Sequence, residues 1–169
     1  MHTGEKMFSL YEIDDKYIEY LRKFDEKVLS SKEGNRKYTR KCVGVLFHIR
    51  DVKYFIPLSS YKPETYDSMY ESLSFKKIGN MAVLRINNMI PIIDSVVHKI
   101  DFKQEKDEKY KVLLQNEYRI IKTREREIRK DSRIVYFYRL KEENKDKGLY
   151  KICCDFKLLE EKAKLYKKE

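Results

Sequence analysis

The sequence predicts an α+β fold, with a strand-rich first part followed by a helical second part. Three observations predict it. Between Phe8 and Val97, short apolar and β-branched runs alternate with turn residues. After Asp101, apolar residues recur at helical spacing along heavily charged segments. The 169 residues contain no internal repeat and no clear linker, so one domain is expected.

The elements follow in order. Residues 1–7 read as a tail or extension, with Met7 as the natural start, and residues 8–169 as the domain. Phe8 to Ile13 alternates apolar and polar residues, as a strand does. Asp14-Asp15 then offers a helix cap, and Tyr17, Ile18, Leu21 and Phe24 follow at helical spacing. The stretch from Ser30 to Asn35 has loop composition. Cys42 to Ile49 and Tyr54 to Leu58 read as a hairpin turning at Arg50-Asp51, with Pro63 ending the pairing. Met81 to Ile86 and Met89 to Val97 complete the strands, and Pro91 argues for an edge or bulge. Tyr110, Leu113, Leu114, Tyr118, Ile121 and Ile128 describe one face of a long helix whose other face is basic. Periodicity leaves Ile134 to Leu140 open between strand and helix; Glu142 to Gly148 reads as a polar loop, and Phe156 to Tyr166 as a final helix.

Charge narrows the function. Lys and Arg number 38 against 28 Asp and Glu, a formal net charge of +10. Such a domain attracts polyanions, because neutralising phosphates releases counterions. Nucleic acid is the leading partner, against the plainer reading of an ordinary basic protein. Cys42, Cys153 and Cys154 suit a reducing compartment, and the adjacent pair lacks metal-ligand spacing. The N-terminus has no apolar signal core, and no apolar run approaches the ~20 residues of a membrane span. A cytoplasmic location without membrane attachment is expected.

Several catalytic classes lose their anchor. GxxxxGK[ST], GxGxxG and HExxH are all absent, so nucleotide-binding and zinc-protease readings have nothing to rest on. The acidic residues are scattered among lysines, without the carboxylate constellation of a metal-dependent nuclease. His2, His48 and His98 are dispersed and read as surface or structural residues. No cofactor and no metal site are expected. What remains is a polar cluster at a strand end, Ser59, Ser60 and Lys62, with Tyr38, Thr39, Arg40 and Lys41 at the mouth of the preceding strand. Hydroxyls beside fixed cations can grip a phosphate whose charge grows in a transition state. RNA carries its own nucleophile in the 2′-hydroxyl. The competing reading is a polar turn with solvated lysines.

The segment Phe55-Ile56-Pro57-Leu58-Ser59-Ser60-Tyr61-Lys62 resembles the signature of the ToxN/AbiQ family of type III toxin–antitoxin toxins, a strand ending in Pro-Leu-Thr/Ser-Ser with a Lys close behind. Lys16 to Leu21, Val43 to Leu46, Ser72 to Phe75, Asn88 to Ile93 and Cys154 to Lys162 resemble further family blocks in the same order, closest to the CptN branch. The resemblance implies a Kid/MazF toxin-like fold: a twisted, partly closed antiparallel sheet surrounded by helices. It implies sequence-specific, metal-independent cleavage of cellular and phage RNA to 2′,3′-cyclic phosphate and 5′-hydroxyl ends. It also implies a small pseudoknot RNA antitoxin that the toxin cuts from a repeat transcript, the two alternating in a closed complex. Growth arrest and abortive phage defence would follow.

By residue, the resemblance places the catalytic hydroxyls on Ser59 and Ser60, a nearby Lys on Lys62, and a cation before the strand on Arg40, with Lys41 as the alternative. Arg40 suits phosphate clamping better than proton transfer, because a guanidinium stays charged. Tyr17 matches a family aromatic, and core packing of the first helix is an equal reading. RNA contacts are expected from Tyr38, Tyr61 and Tyr66 among Lys37, Lys53, Lys76 and Lys77. A second basic surface is expected on the helix carrying Arg119, Lys122, Arg126, Arg129 and Arg133. The alternative function is a non-catalytic, ribosome-associated or other RNA-binding protein. A DNA regulator lacks a helix-turn-helix pairing.

Overall fold

The computed structural model describes residues 8–30 and 42–167. Its strands are β1 Tyr11–Ile13, β2 Cys42–Ile49, β3 Val52–Ser60, β4 Phe75–Ile78, β5 Ala82–Arg85, β6 Ile90–Ile92 and β7 Val97–Lys99. Its helices are α1 Asp15–Arg22, α2 Pro63–Tyr66, α3 Glu108–Thr123, α4 Glu125–Leu140, α5 Gly148–Ile152 and α6 Phe156–Leu165.

β3 organises the sheet. Its first half pairs with β2 from Gly44↔Pro57 to Ile49↔Val52, and its other edge pairs with β6 around Tyr54↔Pro91. Its last three residues leave β6 behind and pair with β5, Leu58↔Leu84 through Ser60↔Ala82. The order β4-β5-β3-β2-β1-β7, with β6 also on β3, is antiparallel throughout. The sheet is open, with β4 and β7 at the ends of the path, rather than partly closed. Pro91 falls on a strand bonded to β3 alone, in keeping with the edge expected from proline's missing N–H.

The β2–β3 hairpin turns through Arg50 at a φ of 54° and depends on Gly44. A Cβ there would overlap the Ile56 carbonyl oxygen and lie 2.7 Å from the Phe55 ring. No side chain fits between the strands at that point.

Several expected boundaries move. Phe8 and Leu10 are buried, but only Tyr11–Ile13 find strand partners on both sides. The stretch from Met89 to Val97 divides into β6 and β7 around a tight turn at Asp94–Val96. β4 escaped the periodic reading because its FKKI sequence carries two lysines in four residues. The long helix is two helices, broken at Arg124 (φ −111°, ψ 12°), whose guanidinium binds Glu71 and Glu127 at 2.6 and 2.9 Å. The undecided Ile134–Leu140 stretch is the end of α4: Val135 and Tyr136 are buried while Ile134 and Phe137 lie outward, each 41% exposed.

The core lies between the sheet and α1, α4 and α6. Tyr54 of β3 meets Tyr136 and Phe156 with ring centroids 5.4 and 5.7 Å away, edge-on. Both tyrosine hydroxyls donate to Glu160 Oε2, at 2.5 and 2.8 Å, so the polar tips of two core rings are satisfied at one carboxylate. The described helices include none long and apolar enough to cross a membrane.

Candidate active site and nucleic-acid surface

The candidate site is the C-terminal end of β3. Two cross-strand rows define it: Lys77–Val83–Ser59, and Ile78–Ala82–Ser60. Successive strand residues project to opposite faces, and aligned residues on neighbouring strands share one. Ser59 therefore lies on the face of Val83, Lys77 and Tyr61, while Ser60 lies on the face of Ala82. Ser59 is half-buried and Ser60 exposed.

A small aromatic cluster explains the first face. Tyr66 of α2 packs on Phe75 at 5.4 Å, beside Val83, and Tyr61 leans on Tyr66 at 5.7 Å. The Tyr61 hydroxyl donates to Asp67 at 2.7 Å, which raises its own pKa. This cluster fixes where the chain turns after Ser60. Lys62 then precedes α2 in an extended conformation (φ −111°, ψ 104°), with Pro63 in the first turn. Extended geometry at positions i and i+2 puts the exposed Lys62 on the same side as Ser60.

The loop beyond α2 is tied down. Asp67 holds Tyr61, while Glu71 takes Arg124 at 2.6 and 2.8 Å and the Lys77 amide at 2.6 Å. These bonds lower the Glu71 pKa, the Arg124 contact most. Between the anchors Tyr70 projects, 93% exposed. Sequence reading passed over it, because an isolated tyrosine in a polar loop carries no periodic signal.

At the β3 end the structure thus puts Ser60 and Lys62 on one face, and Ser59, Tyr61 and Lys77 on the other. It places the other described candidates elsewhere. Arg40, Lys41, Lys37, Tyr38 and Thr39 lie outside the described residues. Tyr17 is fully buried, its hydroxyl donating to the Pro91 carbonyl at 2.5 Å. Burial raises its pKa and removes it from any RNA-contacting surface; it is the core residue of the equal reading. Tyr66 is also buried, as the hub of the aromatic cluster. Lys76 points to the helix side and is buried against Asp131 at 2.6 Å and Glu127 at 3.5 Å, so its charge is spent inside the fold. Lys53 stands near the far end of β3, paired with Asp94 at 2.7 Å.

The expected basic helix face divides at Arg124. Arg119 and Lys122 are exposed on α3, with Arg119 bonded to Asn116 at 2.8 Å and Lys122 5.3 Å from the Tyr118 ring centre. Arg126 is exposed on α4, and Arg133 there donates to the His48 carbonyl at 3.3 Å. Arg129 turns inward: it is buried over the Phe8 ring, 4.2 Å from its centre, and bonds Glu125 at 3.2 Å. It is a packing cation, not an RNA contact.

The chemistry open to the β3 end is that of hydroxyls and cations. Among the described residues, no three His, Cys, Asp or Glu side chains converge to hold a metal. His98 lies away at β7, 3.0 Å from Asp14. Cys153 and Cys154 are buried thiols, and burial pushes the Cys153 pKa up to about 12, which suits packing and not nucleophilic attack.

The sequence family described as toxin ToxN of type III toxin–antitoxin systems matches residues 9–164, from β1 to the last turn of α6. The chain belongs to the ToxN family. This ToxN-family chain is 37% identical to the endoribonuclease AbiQ of Lactococcus lactis subsp. lactis, over 94% of the chain and 89% of the relative. It is 34% identical to the endoribonuclease ToxN of Bacillus thuringiensis subsp. kurstaki (98% and 87%) and 30% identical to that of Pectobacterium atrosepticum (94% and 94%). In three dimensions it resembles a type III toxin–antitoxin structure that reveals selective toxin inhibition by a non-coding RNA pseudoknot, with a TM-score of 0.79, 29% identity, and 97% and 100% of the two chains covered. It likewise resembles AbiQ, a lactococcal anti-phage endoribonuclease, with a TM-score of 0.72, 31% identity, and 95% and 98% covered. The Ser59-Ser60 end of β3 falls within the family match.

Proposed function

We propose that this ToxN-family chain is a type III toxin: a sequence-specific, metal-independent endoribonuclease of the cytoplasm, inhibited by a small pseudoknot RNA that it also processes. The observation carrying this reading is the exposed Ser60, with Lys62 on its face, at the open end of a central strand in a chain whose relatives are endoribonucleases. Residues 8–169 form its single toxin domain. The open antiparallel sheet with helices packed on it is read as a form of the Kid/MazF toxin fold.

In the proposed reaction the 2′-oxygen attacks the adjacent phosphorus, an O2′–P bond forms and the P–O5′ bond breaks. The products are a 2′,3′-cyclic phosphate and a 5′-hydroxyl. One proton leaves the 2′-hydroxyl and one reaches the departing 5′-oxygen, so the balance needs no external water. Ser60 and Lys62 are assigned to the reacting phosphate. Hydrogen bonds and a fixed positive charge gain strength as the phosphorane develops, which is where binding accelerates a reaction. Arg40 and Lys41 immediately precede β2, and either would add a phosphate clamp. Ser59, Tyr61 and Lys77 on the opposite face would hold neighbouring nucleotides by hydrogen bonding, stacking and charge. Toxin and RNA are proposed to alternate in a closed complex, and release of the toxin to arrest growth during phage infection.

The test is incubation of the purified protein with total RNA in excess EDTA, followed by end analysis. Discrete fragments with cyclic phosphate ends are expected. Intact RNA with retarded mobility would overturn the reading in favour of a non-catalytic RNA-binding protein.

A further inference from the structure

The loop from Asp67 to Ser74 joins α2 to β4 and holds a tyrosine out in water. Tyr70 is 93% exposed, yet the chain on both sides of it is bonded down. On one side, Asp67 accepts from the Tyr61 hydroxyl at 2.7 Å, and the Met69 amide donates to the Tyr66 carbonyl at 3.1 Å. On the other, Glu71 accepts from both terminal nitrogens of Arg124, at 2.8 and 2.6 Å, and from the Lys77 amide at 2.6 Å. The same guanidinium donates to the Lys77 carbonyl at 3.0 Å and pairs with Glu127 at 2.9 Å. Arg124 stands at the break between α3 and α4, so it fastens the loop to the helices.

These bonds also place the loop. Lys77 lies on β4, at the end of the sheet, and its N–H and C=O are met by Glu71 and Arg124. Glu71 is therefore level with the row Lys77–Val83–Ser59. Two strand spacings put Lys77 about 10 Å from Ser59, and Tyr70 follows next to Glu71. That offset amounts to a few nucleotides, at ~3.4 Å or more for each step of a strand.

The fold gains nothing from this ring. A side chain so exposed adds no packing, and pinning its loop costs chain entropy. A ring fixed in advance, however, loses little freedom on binding and stacks on any base. Arg124 offsets the charge of Glu71, so an approaching phosphate strand does not meet a bare carboxylate beside the ring.

We propose that Tyr70 is a specificity-determining residue that stacks on an unpaired base of the substrate strand, a few nucleotides from the cleaved bond. Arg124, acting through Glu71, is the residue that positions it. The proposal rests on the reading of the chain as an endoribonuclease and adds where that enzyme grips its substrate.

The test uses an RNA oligonucleotide containing a site that the wild-type protein cuts, and a series of the same RNA with one base removed at a time. The wild type should lose at least tenfold in kcat/KM at one abasic position away from the cut, as loss of a stacked base predicts. Tyr70→Ala should lose as much on the intact RNA and nothing further at that position, while its other abasic penalties stay. The loss should sit in KM, with the single-turnover rate at saturating RNA held within about twofold. Tyr70→Phe, which keeps the ring, should behave as the wild type. Arg124→Gln should blunt the penalty at the same position, and its combination with Tyr70→Ala should be no worse than the more affected single variant. Glu71→Gln repeats that measurement with a milder change, and melting temperatures establish that each variant folds.

A Tyr70→Ala variant with the full wild-type set of abasic penalties would overturn the proposal, as would a loss confined to the single-turnover rate. Arg124→Gln and Glu71→Gln variants that both keep the full penalty would overturn the positioning role. Wild-type protein that cuts no RNA would remove the cleavage reading and this proposal together. Wild-type cleavage with unaltered Tyr70→Ala penalties would remove this proposal alone.

Discussion

At the residue scale, Ser60 and Glu117 make contrasting predictions. Ser60 is exposed at the end of β3, so its hydroxyl contributes little to the fold. Ser60→Ala should leave the melting temperature within a degree or so, yet lower the cleavage rate by ~10²-fold or more, as loss of one donor to a developing oxyanion does. A cleavage rate equal to the wild type would remove Ser60 from the site. Glu117 is buried on α3, and burial raises its pKa from 4.5 to about 7. A carboxyl whose folded pKa lies above its unfolded value favours the fold while protonated. That contribution is complete below about pH 4.5 and is lost as pH climbs through 7. Glu117→Gln, which stays neutral, should therefore gain stability over the wild type at pH 8, by up to roughly 3 kcal/mol, and differ little at pH 4.5. Chemical denaturation at the two pH values reads this difference, and equal gains at both would refute the assignment.

At the element scale, two junctions hold the site in place. The β2–β3 crossing depends on the absence of a side chain at Gly44, where a methyl group would push against the Ile56 backbone. Gly44→Ala is expected to cost ~1–3 kcal/mol of stability, because the strands must separate to admit it. The loss should show in urea unfolding, and cleavage should fall with it as the β3 end shifts. The second junction joins β4 to α4 through Lys76 and Asp131, whose side chains are only 6% and 13% exposed. Removing one partner strands the other: Asp131→Ala should cost ~3 kcal/mol or more, with Glu127 at 3.5 Å offsetting part of the loss. The double change Lys76→Met with Asp131→Leu should recover most of that stability. If the double variant proves no more stable than Asp131→Ala, the pair is not what joins these elements.

At the scale of the whole molecule, the net charge of +10 is divided unevenly. Cations such as Lys76, Arg124 and Arg129 are spent in internal pairs, while Arg119, Lys122, Arg126 and Lys130 remain outside. Binding to structured RNA should therefore be steeply salt-dependent: raising salt from about 50 to 200 mM should weaken it ~10³-fold if six or more phosphates are contacted. A flat response in a filter-binding or anisotropy titration would exclude a broad basic interface.

The sequence by itself determined the elements whose signal is local. The β2–β3 hairpin was legible because apolar runs and turn residues act over a few positions, although its second strand, read as Tyr54 to Leu58, runs from Val52 to Ser60. The Ser59–Lys62 cluster was legible too, as a polar motif breaking an apolar strand. Only the tertiary structure decided which charges and rings are free. Tyr17, Tyr66, Lys76 and Arg129 have the composition of RNA contacts, but distant residues bury them: Pro91, Phe75, Asp131 and Phe8. The same holds for the break at Arg124, fixed by Glu71 fifty-three positions away, and for the pairing of Ser59 and Ser60 with Val83 and Ala82 of β5. Periodicity reports which face of an element is apolar. Which partner covers it is settled by chain segments far apart in sequence, whose meeting no local pattern encodes.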